Sequence, residues 1–151
     1  MSNKVALVVG GSNGVGAAIT NELLKNGYER IYIADRSRPE IASAKTEFVH
    51  INLVCDDVEK LAKIPNIDTL IITAGVGRLD YFGTNSTIEI ETNFKINTLT
   101  VIKLIKAFYS KIHSDDKFLC TVISSITGHV SSPLYAVYSA TKAAVTRFIE
   151  S

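Results

Sequence analysis

The sequence has no tryptophan, and only two cysteines, one methionine and three prolines in 151 residues. Cys55 and Cys120 lie far apart and form neither a metal-ligand spacing nor a redox pair, which argues against a disulfide scaffold and a cysteine metal centre. Two unpatterned thiols read as buried residues in a reducing cytoplasm. An excess of one charge sign is missing too: 16 Lys and Arg face 15 Asp and Glu, for a net charge of +1. With no basic block, neither nucleic acid nor an anionic membrane surface is an expected partner. No apolar run reaches bilayer-spanning length. The segment up to Val9 carries one charge and an apolar run too short for a secretory leader. Repeats, low-complexity tracts and linkers are also lacking. What remains is ordinary globular composition, 46% hydrophobic and 8% aromatic. Its length predicts a single domain over residues 1–151 that can bury a sizeable core.

Strand-like and helix-like segments alternate along that length. Short, almost continuous apolar runs lie at Lys4–Val9, Ile31–Ala34, Phe48–Ile51, Thr69–Ile72 and Phe118–Ile123; the first predicts a buried strand and the others further strands. Helical patterning covers Gly14 to Asn26, with Gly27 as a stop signal, and a short stretch from Asp56 to Lys63. The longest helix is predicted after Ser86, which forms a capping box with Glu89. Ile90, Phe94, Asn97, Val101, Leu104, Ile105, Phe108 and Ile112 recur along it at helical spacing. A last helix runs from about Ala136 to the end. Strands apolar throughout, rather than alternating, point to a parallel sheet covered on both faces. Right-handed crossovers then give an α/β, doubly wound Rossmann-type fold with helices on both faces. Ligands in such sheets bind beyond the carboxyl ends of the strands, where the glycines, Asp35, Ala74-Gly75 and Ser124-Ser125 fall.

Gly10, Gly14 and Gly16 form G-x-x-x-G-x-G between the first strand and the first helix. Glycine allows both a tight turn and a close backbone approach to a diphosphate. The helix amino terminus offers unpaired N–H groups and a positive dipole end. Ser12 and Asn13 can add hydrogen bonds. The plain alternative is a strand-to-helix turn that merely needs glycine; the flanking strand, the helix and a downstream carboxylate argue against it. Asp35 ends the second strand, where it can accept from both adenosine ribose hydroxyls and repel a 2′-phosphate. NAD is therefore the expected cofactor. NADP is the alternative, because the Arg36 guanidinium could pair with that extra phosphate.

Tyr138 and Lys142 are one helical turn apart and share a helix face. A tyrosine works as general acid/base near neutrality only if its acidity is raised, and a neighbouring ammonium raises it. Ser125, at a strand end, can hold a substrate carbonyl or hydroxyl for proton exchange. Taken alone, a Tyr/Lys pair is a common feature of solvated helix faces.

Combined, these residues carry a resemblance. Gly10-x-x-x-Gly14-x-Gly16, Ala74-Gly75, Asn97, Ser125 and Tyr138-x-x-x-Lys142 stand in the order and spacing of the short-chain dehydrogenases/reductases, which the sequence resembles over almost its whole length. The resemblance implies an NAD(P)-dependent oxidoreductase acting on a small alcohol/carbonyl pair, with transfer of the pro-S hydride of the nicotinamide. It implies Ser125, Tyr138 and Lys142 as a catalytic triad, with Asn97 a fourth member that helps hold a proton-relaying water near Lys142. It implies cofactor contacts from Gly10, Ser12, Asn13, Gly14, Val15, Gly16, Asp35, Arg36, Asn52, Leu53, Ala74, Gly75, Tyr138 and Lys142. A homodimer or homotetramer paired through the long and last helices is implied for a complete chain.

Some positions depart from the family pattern. Val9 stands where Thr often precedes the first glycine, and Ile72-Thr73 stands where Asn-Asn precedes Ala74-Gly75. Asn52-Leu53 replaces an Asp-apolar pair that commonly meets adenine. Members of the family run well past the position of Ser151, so the resemblance implies that two C-terminal strands and a substrate-covering loop are lacking. The fifth strand would then form an open sheet edge. This leaves a second expectation beside the enzyme: a nucleotide-binding or interaction fragment without turnover.

Overall fold

Five apolar runs become strands: β1 (Val5–Val9), β2 (Arg30–Asp35), β3 (Thr46–His50), β4 (Thr69–Ile72) and β5 (Leu119–Val122). The computed structural model describes residues 4–151; Met1, Ser2 and Asn3, which open the segment read for a leader, lie outside the described residues. All five strands pair in parallel in the order β3-β2-β1-β4-β5. Four α-helices accompany them among the described residues: α1 (Gly14–Lys25), α2 (Thr87–Phe94), α3 (Thr100–Ser114) and α4 (Ala136–Glu150).

The pleat of β1 shows why its sequence is apolar at every position. Leu7 and Val9 enter one core with Leu70, Ile72, Val101, Leu104 and Phe108. Ala6 and Val8 enter the opposite one with Ile31, Ile33 and Ile71, under Ile19, Leu23 and Leu24 of α1. A strand between two cores has no solvent face to which polar residues could be assigned. The doubly wound architecture is thus as the alternation of segments predicts. The sheet reverses direction of growth between β1 and β4, and a crevice opens there at the carboxyl ends of the strands. β5 is the outer strand on that side, as expected.

Two local readings need correction. The long helix is not one regular α-helix: Lys95–Leu99 forms a π turn between α2 and α3. Within it, the Thr100 N–H donates to the Lys95 carbonyl five residues back, and the Thr100 hydroxyl reaches the same oxygen at 2.9 Å. The extra residue shifts the register, and Phe94 is left partly exposed while Asn97, Val101, Leu104 and Phe108 are buried. Val58–Lys63 forms the short helix expected there, as a 3-10 segment capped by the Asp57 carboxylate, which accepts from the Glu59 N–H. Cys55 is exposed rather than buried, in the loop after β3, and Cys120 is half-buried on β5, where burial pushes its thiol pKa up. Among the described residues, no helix is long and apolar enough to cross a membrane and no side-chain cluster could hold a metal ion.

Candidate active site

The turn between β1 and α1 is shaped by backbone crowding. Gly10 has φ +87°, and a Cβ there would meet the Ala74 N at 2.5 Å and the Thr73 hydroxyl at 2.9 Å. A Cβ on Gly16 would fall on the Gly10 carbonyl oxygen. Gly14 is different: its φ is +51° and the space beside it is open, so the demand there is conformational alone. Asn13 caps α1 in extended backbone without a side-chain hydrogen bond to the helix, leaving the first-turn N–H groups uncapped by side chains. Thr73, where the sequence departs from Asn, takes over the bracing. Its hydroxyl lies 2.9 Å from the Gly10 carbonyl and 3.1 Å from that of Val9, tying the turn to the end of β4.

Asp35 closes β2 with both carboxylate oxygens engaged. One accepts from the Ser12 N–H at 3.1 Å, the other from the Arg36 N–H at 2.7 Å. A cleft of about 370 Å³ runs along this end of the sheet. Gly10, Asn13, Gly14, Val15, Gly16, Asp35, Arg36, Asn52, Leu53, Ala74 and Gly75 all line it. Ser12 does not: its hydroxyl donates to the Ser37 carbonyl at 2.5 Å, so it binds two turns together rather than facing the cleft. The Asn52 side chain turns on its own loop, accepting from the Val54 N–H.

A second cleft, about 450 Å³, adjoins the first and shares Thr73, Gly75 and Val76 with it. Ser125, Tyr138 and Lys142 all line this one. Ser125 lies just past the end of β5, and its Oγ accepts from the Thr127 N–H at 3.2 Å and the Thr127 hydroxyl at 3.0 Å. With both acceptor positions filled, its own proton is free to donate elsewhere. Lys142 is 4% exposed, and its ammonium donates to the Ile123 carbonyl at 3.0 Å. Burial pulls its pKa below the usual lysine value. The ammonium lies 5.8 Å from the centre of the Tyr138 ring.

Asn97 is fully buried in the π turn, behind Gly75. Its Oδ1 accepts from the Val76 N–H, and its Nδ2 donates to the Val76 carbonyl and to the Thr141 hydroxyl, at 2.8, 2.7 and 2.9 Å. The Thr141 hydroxyl in turn donates to the Tyr138 carbonyl at 2.7 Å. Asn97 therefore joins the loop after β4 to the turn of α4 that bears Tyr138. Thr141 has no distinguishing mark in the sequence, since its partners are distant along the chain. Gly77 was equally silent: its importance lies in what stands beside it.

The sequence matches the family model for short chain dehydrogenase over residues 4–151. It is 29% identical to Uncharacterized oxidoreductase TDA5 of Saccharomyces cerevisiae, covering 99% of this chain and 48% of the yeast protein. It is 28% identical to Uncharacterized oxidoreductase DltE of Bacillus subtilis, over 98% of this chain and 64% of that one. Among solved structures, a short chain dehydrogenase from Burkholderia cenocepacia in complex with NADP superposes with a TM-score of 0.85. It shares 25% identity, and the match covers 99% of this chain and 66% of that one. The chain thus spans about half to two thirds of the length of these proteins.

Proposed function

This chain belongs to the short chain dehydrogenases, and on that basis we propose that it binds a nicotinamide dinucleotide and, as an enzyme, interconverts an alcohol and a carbonyl with Tyr138 as general acid/base. The observation that carries the reading is the shared wall: the cleft holding Ser125, Tyr138 and Lys142 opens onto the glycine-lined cleft through Thr73, Gly75 and Val76.

The cradle fits a dinucleotide. Side chains at positions 10 and 16 would collide with backbone, so only glycine keeps the floor of the first cleft low. The uncapped start of α1 supports a diphosphate there. Asp35, held by two backbone N–H groups, supports binding of ribose hydroxyls and hence NAD. The NADP bound by the Burkholderia protein and the exposed Arg36 beside Asp35 are the arguments for the phosphorylated form. When bound, the nicotinamide supplies or accepts the hydride.

The protein's part is to move the proton and hold the substrate. In the reducing direction the Tyr138 hydroxyl gives its proton to the carbonyl oxygen, and the Lys142 ammonium stabilises the phenolate left behind. Ser125, its lone pairs occupied by Thr127, donates to the same substrate oxygen and fixes it within reach of Tyr138. Lys142 also faces the cleft and would hold ribose hydroxyls. The Asn97 amide is committed to Val76 and Thr141, which supports a bracing role for its side chain rather than direct water holding.

The test is titration of the chain with NADH and NADPH by fluorescence, followed by assays of dinucleotide oxidation coupled to reduction of a panel of aldehydes and ketones. Turnover lost in Tyr138→Phe supports the reading. Binding of neither dinucleotide by the folded protein would overturn it, and binding without turnover of any carbonyl would leave a nucleotide-binding unit alone.

A further inference from the structure

We infer that Gly77 is a positioning residue for Tyr138, a role that rests on the acid/base reading of that tyrosine: the missing side chain at position 77 is the seat of the phenol ring. A Cβ built on Gly77 would stand 2.5 Å from Tyr138 Cδ2, 2.9 Å from Cγ and 3.0 Å from Cε2. All three are ring carbons, including the one nearest the backbone, so the ring could not clear the methyl by moving only its tip. Backbone conformation does not explain this glycine. The glycines with positive φ are Gly10, Gly14 and Gly27, and Gly77 is not among them. Nor does general crowding, since Gly77 is exposed and its three nearest neighbours all belong to one side chain.

The surroundings keep both surfaces in place. On one side of Gly77, both backbone groups of Val76 are held by Asn97. On the other, Arg78 pairs with Asp80 and Glu89, and the Asp80 N–H donates to the Leu134 carbonyl at 2.9 Å. The Arg78 hydrogen bond holds the Asp80 carboxyl below the usual carboxylate range. The loop after β4 is thus fastened to both α2 and the segment before α4, and these ties oppose its retreat from the ring. Tyr135 packs near the ring, at 5.7 Å between centroids. Tyr138 thus has Gly77 against its ring, with Tyr135 and Lys142 also close to it. Backbone on one face therefore sets where the hydroxyl points.

Gly77→Ala tests this with tyrosines replaced by 3-fluorotyrosine, the Tyr138 resonance being identified by its loss in Tyr138→Phe. The substitution should move the Tyr138 resonance while NADH affinity stays within about twofold, and it should lower kcat roughly tenfold or more, as misplacement of a reacting group does. Should Gly77→Ala lower the melting temperature, the loss should vanish in a Tyr138→Ala background, where no ring is left to collide. An unmoved Tyr138 resonance in the folded variant, a kcat equal to the parent's, or a melting loss that persists without the ring would each overturn the role of Gly77. Tyr138→Phe separates the two ideas. It keeps the ring but removes the hydroxyl, so full turnover in that variant would end the acid/base reading and leave the seating of the ring by Gly77 standing.

Discussion

The Lys142 ammonium donates to the Ile123 carbonyl oxygen at 3.0 Å, just past the end of β5, with the side chain almost wholly removed from solvent. Burial holds its folded pKa below the ordinary 10.5. Between the folded value and 10.5 the unfolded chain therefore binds more protons than the folded one, and stability rises with pH across that window. Below it the cost of burying the charge is fully present. Compared with Lys142→Met, the parent protein should gain stability as pH climbs from neutral toward 10.5. Urea unfolding across that range checks this, and parallel profiles for the two proteins would refute it.

Tyr138→Phe should retain the fold and dinucleotide binding while turnover falls by about 10²-fold or more, the scale of general acid/base assistance. Steady-state assays against the carbonyl panel, beside fluorescence titration with NADH, separate the two effects.

Gly14 and Gly16 of the cradle should not respond alike. At Gly16 an added methyl would run into the Gly10 carbonyl, and overpacking of that kind costs about 1–3 kcal/mol. At Gly14 the space is open and the cost is the left-handed backbone alone, about 1–2 kcal/mol. Gly16→Ala should also abolish dinucleotide binding, whereas Gly14→Ala should weaken it. Thermal melts and calorimetric titration read both quantities; equal loss of binding in the two variants would count against the cradle geometry.

Asp35→Ala should shift the ratio of NADP to NAD affinity by about tenfold toward NADP, equivalent to about 1.4 kcal/mol. Both oxygens of this carboxylate also anchor backbone, so a common weakening of the two dinucleotides is expected alongside. An unchanged ratio would remove Asp35 from the selection of cofactor.

Asn97→Ala deletes three hydrogen bonds, two to the backbone of Val76 and one to the buried Thr141 hydroxyl. A loss of about 2–3 kcal/mol is expected, measured by denaturant unfolding. A loss near zero would mean that the loop after β4 and the start of α4 do not depend on this clamp.

The parallel sheet was legible because strands between two cores have to be apolar along their whole length, as β1 is. The clefts were legible at residues whose chemistry is tied to local spacing: the glycines before α1, Asp35 at a strand end, and Tyr138 one turn before Lys142. Features set by distant partners were not. The π turn arises where Asn97 reaches across to Val76 and Thr141, and neither contact leaves a periodic trace. Ser12 looked like a ligand because it stands in the glycine segment, yet its hydroxyl is spent on Ser37. Gly77 resembles any loop glycine until the ring beside it is seen.

Thr73, Gly75 and Val76 face both hollows at once, as a partition faces two rooms. Occupancy on one side is therefore expected to be felt on the other through a few atoms of shared backbone. If dinucleotide alters affinity for an alcohol by some factor, the alcohol must alter affinity for dinucleotide by the same factor. Measuring the two in either order then gauges how stiff that partition is.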